Sequence, residues 1–403
     1  KSLVVLQFAI SAALIVATTI AFQQLQYVAG ADLGFDDEAL ISVAARGNYA
    51  TIKREMESRA DIQRVVGTMD TPGTGVGRAF QTVFNGEPLP DDAPSYATTY
   101  VDFGFFEMLD LKMVAGRPFS ADHPGDIGRA LPPTDVHFQP YTRDRAVVIN
   151  ESMARSRGWT PEEALGQTVR SVVREGEQIY TDMQGEIVGV VEDFHFSALR
   201  EPIRPLVMYP ALTPSPTENE RSANLTTLLV KASSGGSLGQ AMSTVREVWH
   251  DVLPGEVFEA SFVDDRLDAM YEKERRTGWL VGTFAGLAIF VACLGLFGLA
   301  AFAARQRTKE IGSLKALGAS VTSIVRMISS EYVLLVSIAV LIASPIAYLG
   351  MSEWLNAFAY RIELGVWPFA VAILSMLLVA VVTVGSQALR AARVDPATTL
   401  RDE

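Results

Sequence analysis

The sequence is poor in residues that cross-link small domains or bind metals. Its one cysteine, Cys293, lies inside a long apolar run, so the chain has no internal disulfide and its polar part depends on a packed core. Its four histidines show no paired spacing typical of zinc ligands. We therefore expect no metal site and no cofactor.

Motifs for nucleotide hydrolysis and nucleophilic catalysis are also missing. The pattern GxxxxGK[ST] does not occur, nor does any Gly-Lys pair, so the chain cannot itself hydrolyse a nucleotide in the P-loop manner. Neither GxSxG nor HExxH is present. We expect no catalytic residue and no enzymatic activity, and we expect a separate polypeptide to handle any ATP.

Charged residues are absent from four long apolar runs, each long enough to cross about 30 Å of hydrocarbon as a helix. An ionised side chain at mid-bilayer costs at least about 2.5 kcal/mol, so uncharged runs predict transmembrane helices. The runs contain no histidine either, which speaks against a proton-coupled secondary transporter. The predicted transmembrane helices are Leu3–Phe22, Gly278–Ala304, Tyr332–Ser352 and Leu364–Leu389.

Basic residues near the ends of these runs predict the orientation. The connection after the second run and the C-terminal tail are rich in Lys and Arg, whereas residues 353–363 contain one Arg. Both termini are therefore predicted to be cytoplasmic, with residues 24–277 outside. The net charge of −12 then belongs to the outer part, and a nucleic-acid partner is disfavoured.

The outer part reads as an α+β domain, because short β-like runs alternate with helical stretches. Helical patterns continue past the first membrane run through Gln23–Val28 and precede the second over Asp264–Thr277, so both connections are predicted to be helical stalks. The predicted strands are Leu40–Ala44, Arg64–Thr68, Ala146–Asn150, Glu186–Val191 and Thr227–Lys231. The predicted helices are Tyr49–Ala60, Glu151–Arg157, Pro161–Leu165 and Leu238–Val252.

A basic amphipathic segment follows the second membrane run. Apolar residues recur every third position, charged residues take other faces, Gly318 can end a short helix and Ser320 can cap the next one. One interpretation is a docking helix for a soluble partner, and the other is a helix that lies on the lipid surface. The candidate docking residues are Lys309, Glu310, Ile311, Leu314, Lys315, Leu317, Gly318 and Ser320.

Three glycines in the second membrane run, Gly278, Gly282 and Gly286, recur four residues apart. This spacing permits close helix approach and predicts a helix-packing stripe, although glycine is also common in membrane helices generally.

Several segments resemble known families. RTKEIGSLKALGAS (307–320) resembles the signature of FtsX-like permeases of ABC transporters, and AARVDPATTLRDE (391–403) resembles their cytoplasmic ending. VDFGFFEMLDLKMVAGRPFS (101–120), VVINESMARSRGWTPEEALGQTV (147–169) and GEIVGVVEDFHFSALREPIRPLVMY (185–209) resemble the MacB-type periplasmic core domain.

The resemblance implies one span, a large periplasmic domain of two lobes on helical stalks and three further spans, with an inserted lobe at about 117–185. It also implies a cytoplasmic ABC ATPase partner that meets residues 309–320. The first residues resemble the midpoint of longer, eight-span relatives. Because the chain begins at Lys1 without a Met, we expect it to be part of a longer protein, and we expect its partner to be a second permease half or a homodimer copy.

The function expected from these features is that of a permease subunit, or half of one, in a bacterial inner membrane. It would couple ATP hydrolysis by its partner to movement of the periplasmic lobes for export or extraction of a client, with a periplasmic adaptor as a further partner. The alternative is an ATPase-driven scaffold that activates a cell-wall hydrolase or signals to a sensor. A membrane-anchored enzyme is a third hypothesis, for which the sequence supplies no polar constellation.

Overall fold

The computed structural model of the chain forms two compact units, Lys1–Gly30 with Tyr271–Glu403, called here the membrane unit, and Ala31–Met270, called the outer unit. The residues that the structure describes are 2–30, 32–44, 49–72, 75–126, 128–129, 145–175, 178–196, 201–213, 225–233, 235–270, 272–306 and 320–392.

The helices of the described residues are numbered in chain order. They are α1 Ser2–Ala29, α2 Tyr49–Glu57, α3 Phe105–Met108, α4 Glu151–Ser156, α5 Pro161–Ala164, α6 Leu238–Val252, α7 Val263–Met270, α8 Glu272–Gln306, α9 Val321–Asn356 and α10 Trp367–Ala392.

The strands all lie in the outer unit. They are β1 Leu40–Ala44, β2 Ile62–Thr68, β3 Ala79–Phe84, β4 Ser95–Val101, β5 Met113–Gly116, β6 Gly128–Arg129, β7 Arg145–Asn150, β8 Thr168–Glu175, β9 Gln178–Val191, β10 Leu206–Pro210, β11 Leu212–Thr213, β12 Thr227–Ala232 and β13 Ala260–Phe262.

The membrane unit consists of α1, α8, α9 and α10, and each is long and apolar enough to cross a membrane. Helices α1 and α10 each pack against the other three. The buried residues of α1 show how it does so. Its buried residues recur every fourth position and include Phe8, Ala12, Val16 and Ile20. A spacing of four advances about 40° around a helix per step, so such a series covers several sides of α1 in turn. The four predicted transmembrane helices are confirmed.

The outer unit contains one large mixed sheet with the strand order β10-β7-β9-β8-β3-β4-β2-β12-β1-β13, and β5 pairs with β9. Strand β10 also pairs in parallel with β4, from Leu206 opposite Ala97 to Pro210 opposite Val101. This pairing closes six strands, β10, β7, β9, β8, β3 and β4, into a ring without open edges. One register pair, Thr68 opposite Val101, joins β2 to β4 and thus the ring to the remaining strands.

The remaining strands β2, β12, β1 and β13 come from two separated segments, 40–68 and 227–262, and pack against α2 and α6. They share an apolar core centred on Trp249, which is fully buried. The ring strands have a core of their own around Phe84 and Tyr209. The predicted α+β fold of the outer unit is therefore confirmed. The strands of segments 40–68 and 227–262 form one part of it, and the chain between these segments contributes the ring strands.

The predicted range of about 117–185 for the inserted lobe contains β7 and β8 and ends inside β9, but β3, β4 and β10 of the ring lie outside it. The predicted strands and helices all occur, most of them within a few residues of their predicted bounds. For the first predicted stalk, helical continuity is confirmed, since α1 continues to Ala29, and its protrusion from the bilayer stays a prediction. The second is helical on both sides of Tyr271, which itself lies outside the described residues.

Candidate functional site: the transmembrane helix pair

Helices α1 and α8 connect the membrane unit to the outer unit along the chain, so we treat them as the candidate site for transmitting movement. They pack antiparallel through glycine contacts. A Cβ added to Gly278 would lie 3.5 Å from Leu25 Cδ1, and one added to Gly282 would lie 3.4 Å from Thr18 Cγ2. The backbone of α8 therefore comes close to α1, with van der Waals contact as the main interaction at these positions.

Gly286 does not continue this contact. Apart from its chain neighbours and the adjacent backbone of α8, no atom of the described residues lies within 4 Å of a Cβ added there. Glycines four residues apart rotate by about 40° per step around a straight helix, so Gly286 points about 80° away from Gly278. Of the predicted stripe of three glycines, two face α1. Closer to the other end of α8, Gly295 approaches Gln7, whose Oε1 would lie 2.9 Å from an added Cβ.

A polar contact joins the end of α1 near Gly30 to another part of the membrane unit. The side chain of Gln24 is 1 % exposed. Its Nε2 donates a hydrogen bond to the carbonyl oxygen of Tyr360 at 2.8 Å, and its Oε1 accepts one from the backbone N–H of Ile362 at 2.9 Å. Both residues lie in the connection 357–366 between α9 and α10. Both polar groups of the buried amide are therefore paired with backbone groups of this connection.

A cavity of about 570 Å³ lies between α1 and α8 at this same end. Thr18, Phe22 and Leu25 line it from α1, and Gly282 and Trp279 line it from α8. Phe22 and Trp279 are 61 % and 76 % exposed, so the cavity opens to the side of the helix pair. An exposed Trp near the end of a spanning helix is typical of the membrane–water interface.

The predicted docking residues Lys309, Glu310, Ile311, Leu314, Lys315, Leu317 and Gly318 lie outside the described residues. The structure describes the helices on both sides of this segment: α8 ends at Gln306, and α9 begins after Ser320. The Ser320 hydroxyl accepts a hydrogen bond from the backbone N–H of Ser323 at 3.3 Å. The predicted cap at Ser320 is therefore confirmed, and its assignment to docking stays a prediction.

The outer unit contains a polar cluster that sequence analysis missed. The Asp102 carboxylate accepts hydrogen bonds from the Tyr49 hydroxyl, from Lys53 Nζ at 2.6 Å and from the backbone N–H of Phe103 at 2.8 Å. Burial, and secondarily the charge of Asp102, raise the pKa of Tyr49 well above its ordinary value. A phenol so shifted cannot act as a base near neutral pH, so the cluster acts as a structural junction between α2 and the end of β4.

The signal for this cluster was weak in the sequence. Tyr49 and Lys53 are four residues apart and so share a helix face, but Asp102 is 53 residues further along the chain than Tyr49. Within the described residues, no group of three or more His, Cys, Asp or Glu is arranged to hold a metal ion.

A small cleft near the end of β9 contains the other notable titratable group. It is lined by His195, Glu201 and Arg204 among apolar residues, and the His195 side chain is buried. Burial lowers the pKa of His195 despite the opposing influence of Asp193 and Asp32. His195 is therefore predominantly neutral at neutral pH.

Two family models match most of the chain between them. The model described as a MacB-like periplasmic core domain matches residues 2–248, and the one described as an FtsX-like permease C-terminal matches residues 282–396. No curated protein matches the sequence.

Several solved structures resemble between half and two thirds of the chain. The periplasmic region of MacB from Actinobacillus actinomycetemcomitans is 15 % identical, with a TM-score of 0.37, over 59 % of this chain and 94 % of that one. A domain of a permease protein from Porphyromonas gingivalis is 16 % identical, with a TM-score of 0.36, over 56 % and 91 %. The extracellular domain of the ABC-type transporter YknZ from Gram-positive bacteria is 15 % identical, with a TM-score of 0.33, over 55 % and 99 %.

Proposed function

This chain belongs to the family that shares the MacB-like periplasmic core domain, and from that premise we propose that it converts ATP hydrolysis by a cytoplasmic partner into movement of its outer unit. Its C-terminal part matches the permeases that act in ABC transporters. In this proposal the protein is the permease component, or half of one, of a mechanotransmission complex in a bacterial inner membrane, and its outer unit moves for export or extraction of a client.

One observation carries the proposal. Helix α8 begins at Glu272, directly after the outer unit in the chain, and ends at Gln306, directly before the segment 309–320. A single stiff helix thus leads from the outer unit to the segment that resembles the docking site of ABC permeases. An α-helix rises about 1.5 Å per residue, so this helix measures roughly 50 Å and exceeds the hydrocarbon thickness.

The docking segment fits a protein partner through its apolar positions. Leu314 and Leu317 are three residues apart and fall on one face of the predicted helix. Burying a leucine side chain in a partner groove contributes about 1.5–3 kcal/mol, so two leucines account for a change of affinity of at least about 100-fold.

The test uses the double variant Leu314→Asp/Leu317→Asp in the full chain, reconstituted in lipid nanodiscs with its ATPase. The ATPase is first identified by cross-linking and pull-down. We expect the variant to insert normally but to lose ATPase binding by at least about 100-fold, together with its effect on the ATP hydrolysis rate. The control, Leu314→Met/Leu317→Met, keeps apolar side chains of similar volume and should bind normally.

Unchanged ATPase binding and stimulation in the Asp double variant would show that the partner docks elsewhere. Unchanged ATPase binding together with weakened contact between residues 309–320 and lipid in the Asp variant would favour the lipid-surface interpretation of 309–320 instead.

A further inference from the structure

At the end of the membrane unit that carries Gly30 and the connection 357–366, called here the outer end, the apolar core excludes α8. Its buried members come from α1, α9 and α10, and its partly buried members come from the same helices and the connection 357–366. Among the described residues, α8 contributes none of them. The buried members are Val16, Ile20, Ala347, Leu355 and Ala372.

The opposite half of the membrane unit is different. There Ala292 and Leu296 of α8 are buried in one core with residues of α1, α9 and α10. Helix α8 is therefore integrated into the bundle along its C-terminal half. Toward the outer end it touches α1 at Gly278 and Gly282, beside the open cavity of about 570 Å³.

Helix α1 is fixed at the outer end by the Gln24 amide. Its two hydrogen bonds, to Tyr360 O and from Ile362 N–H, are partly buried, and the Gln24 side chain that makes them is buried, so breaking them would leave its amide without partners in an apolar environment. Ile20, one helical turn before Gln24, is fully buried in the core described above. Moving α1 away from α9 and α10 requires both hydrogen bonds to break. Moving the outer part of α8 away from α1 disrupts packing contacts at two glycines.

We propose that Gln24 is a positioning residue for the coupling movement: its amide locks the outer end of α1 to the connection 357–366, so that α1, α9 and α10 stay together while α8 moves against them. The inference rests on the proposed function, because it assigns the moving helix in an ATP-driven cycle. The cavity between α1 and α8 supplies space for that movement without repacking the bundle core.

The test measures distances between spin labels in the full complex, in nanodiscs, without nucleotide and with ATP trapped. Cys293 is first replaced by Ser, and labels are placed at positions that are exposed and outside the cavity lining. These are Tyr27 in α1, Leu280 in α8 and Val366 just before α10, with 46 %, 55 % and 86 % exposure. We expect trapping of ATP to shift the distance from 280 to 366 and to leave the distance from 27 to 366 unchanged.

The variant Gln24→Met keeps the side-chain length and removes both hydrogen bonds. It should broaden the distance distribution from 27 to 366 already without nucleotide and make that distance respond to ATP. The matched control is Gln23→Met, the same substitution on the neighbouring residue, and it should leave both distances as in the parent. If Gln24→Met does not accumulate, Gln24→Asn, whose amide is one carbon shorter, should give the same broadening.

Two results would overturn the inference. One is an ATP-linked change from 27 to 366 in the parent protein as large as that from 280 to 366. The other is identical nucleotide-free distributions for Gln24→Met and Gln23→Met. If neither distance responds to ATP although the ATPase is bound and active, the proposed coupling function fails, while the nucleotide-free comparison still decides whether Gln24 locks α1.

Discussion

Removal of the Asp102 carboxylate should loosen α2 by a predictable amount. The carboxylate accepts from Tyr49, Lys53 and the N–H of Phe103, and its side chain is 14 % exposed. The Lys53 side chain is 25 % exposed, so in Asp102→Ala it regains water, and loss of its ion pair costs about 0–1 kcal/mol. The Tyr49 hydroxyl is partly buried and cannot be rehydrated as easily, and leaving its proton without an acceptor costs about 1–3 kcal/mol.

The free energy for local opening of α2 should therefore fall by roughly 1–4 kcal/mol. Since 1.4 kcal/mol is a factor of ten, amide hydrogen exchange in 49–57 should accelerate by roughly 5- to 700-fold. Hydrogen-exchange mass spectrometry of the full-length protein measures this effect. Glu55→Gln, which changes an exposed acid on the same helix, is the control and should leave exchange within about twofold.

A second substitution tests the assigned cause. Tyr49→Phe removes the hydroxyl that Asp102→Ala leaves unsatisfied, so the double variant should exchange more slowly in α2 than Asp102→Ala alone. Slower exchange in the double variant would identify the unsatisfied hydroxyl as the cause, because a general loss of packing would instead make exchange faster than in Asp102→Ala. Exchange in Asp102→Ala that matches Glu55→Gln, or a double variant faster than the single one, would refute the reasoning.

Two further predictions concern the outer unit. Gly185→Ala should destabilise β9 by about 1–3 kcal/mol or more, because the new Cβ would overlap the Arg145 carbonyl oxygen and lie 2.6 Å from Val147 Cγ2. Hydrogen exchange in β7 and β9 measures this, and Gly236→Ala, whose Cβ would lie 3.5 Å from the nearest atom, should be neutral by comparison. The stability of the outer unit should also fall as the pH drops below about 6.5, because burial lowers the pKa of His195 and the unfolded chain takes up a proton first. In His195→Gln, the melting temperature of the outer unit should change less between pH 7.5 and pH 5 than it does in the parent protein. The same pH dependence in both proteins would contradict the assignment.

The sequence predicted those parts of the fold that are determined by local pattern. Four uncharged runs sufficed for the membrane helices, because charge is costly in hydrocarbon and each helix satisfies its own backbone. Helix α6 was predicted with its observed bounds, Leu238–Val252, since its apolar face repeats at helical spacing. Strand β1 was likewise predicted as Leu40–Ala44. In α6 one face is buried and the other is exposed, so the period is visible, whereas β1 is buried at four of its five positions and was predicted from its β-like residues between turn residues.

The sheet topology was not accessible in the same way. The ring closes because β10 pairs with β4 in parallel, and Leu206 and Ala97 are more than a hundred residues apart in the chain. Strand β10 is buried at every position, so it shows no alternation that would distinguish a strand from a buried helix segment. Pairing partners at long range depend on how whole surfaces fit together, and a single sequence carries little information about them.

The same limit applies in the membrane unit, where the sequence did not single out Gln24. Gly278 and Gly282 were recognisable because small residues at a spacing of four mark close helix approach, but the sequence could not show that Gly286 turns away. Gln24 gave no signal, because it stands in a run of polar residues at the end of a membrane helix, and its partner Tyr360 is 336 positions away. A buried amide there is costly unless both its groups are paired, so its burial itself implies a fixed neighbour. That reasoning separates α1, whose outer end is fixed by a paired amide, from α8, which meets α1 there at Gly278 and Gly282.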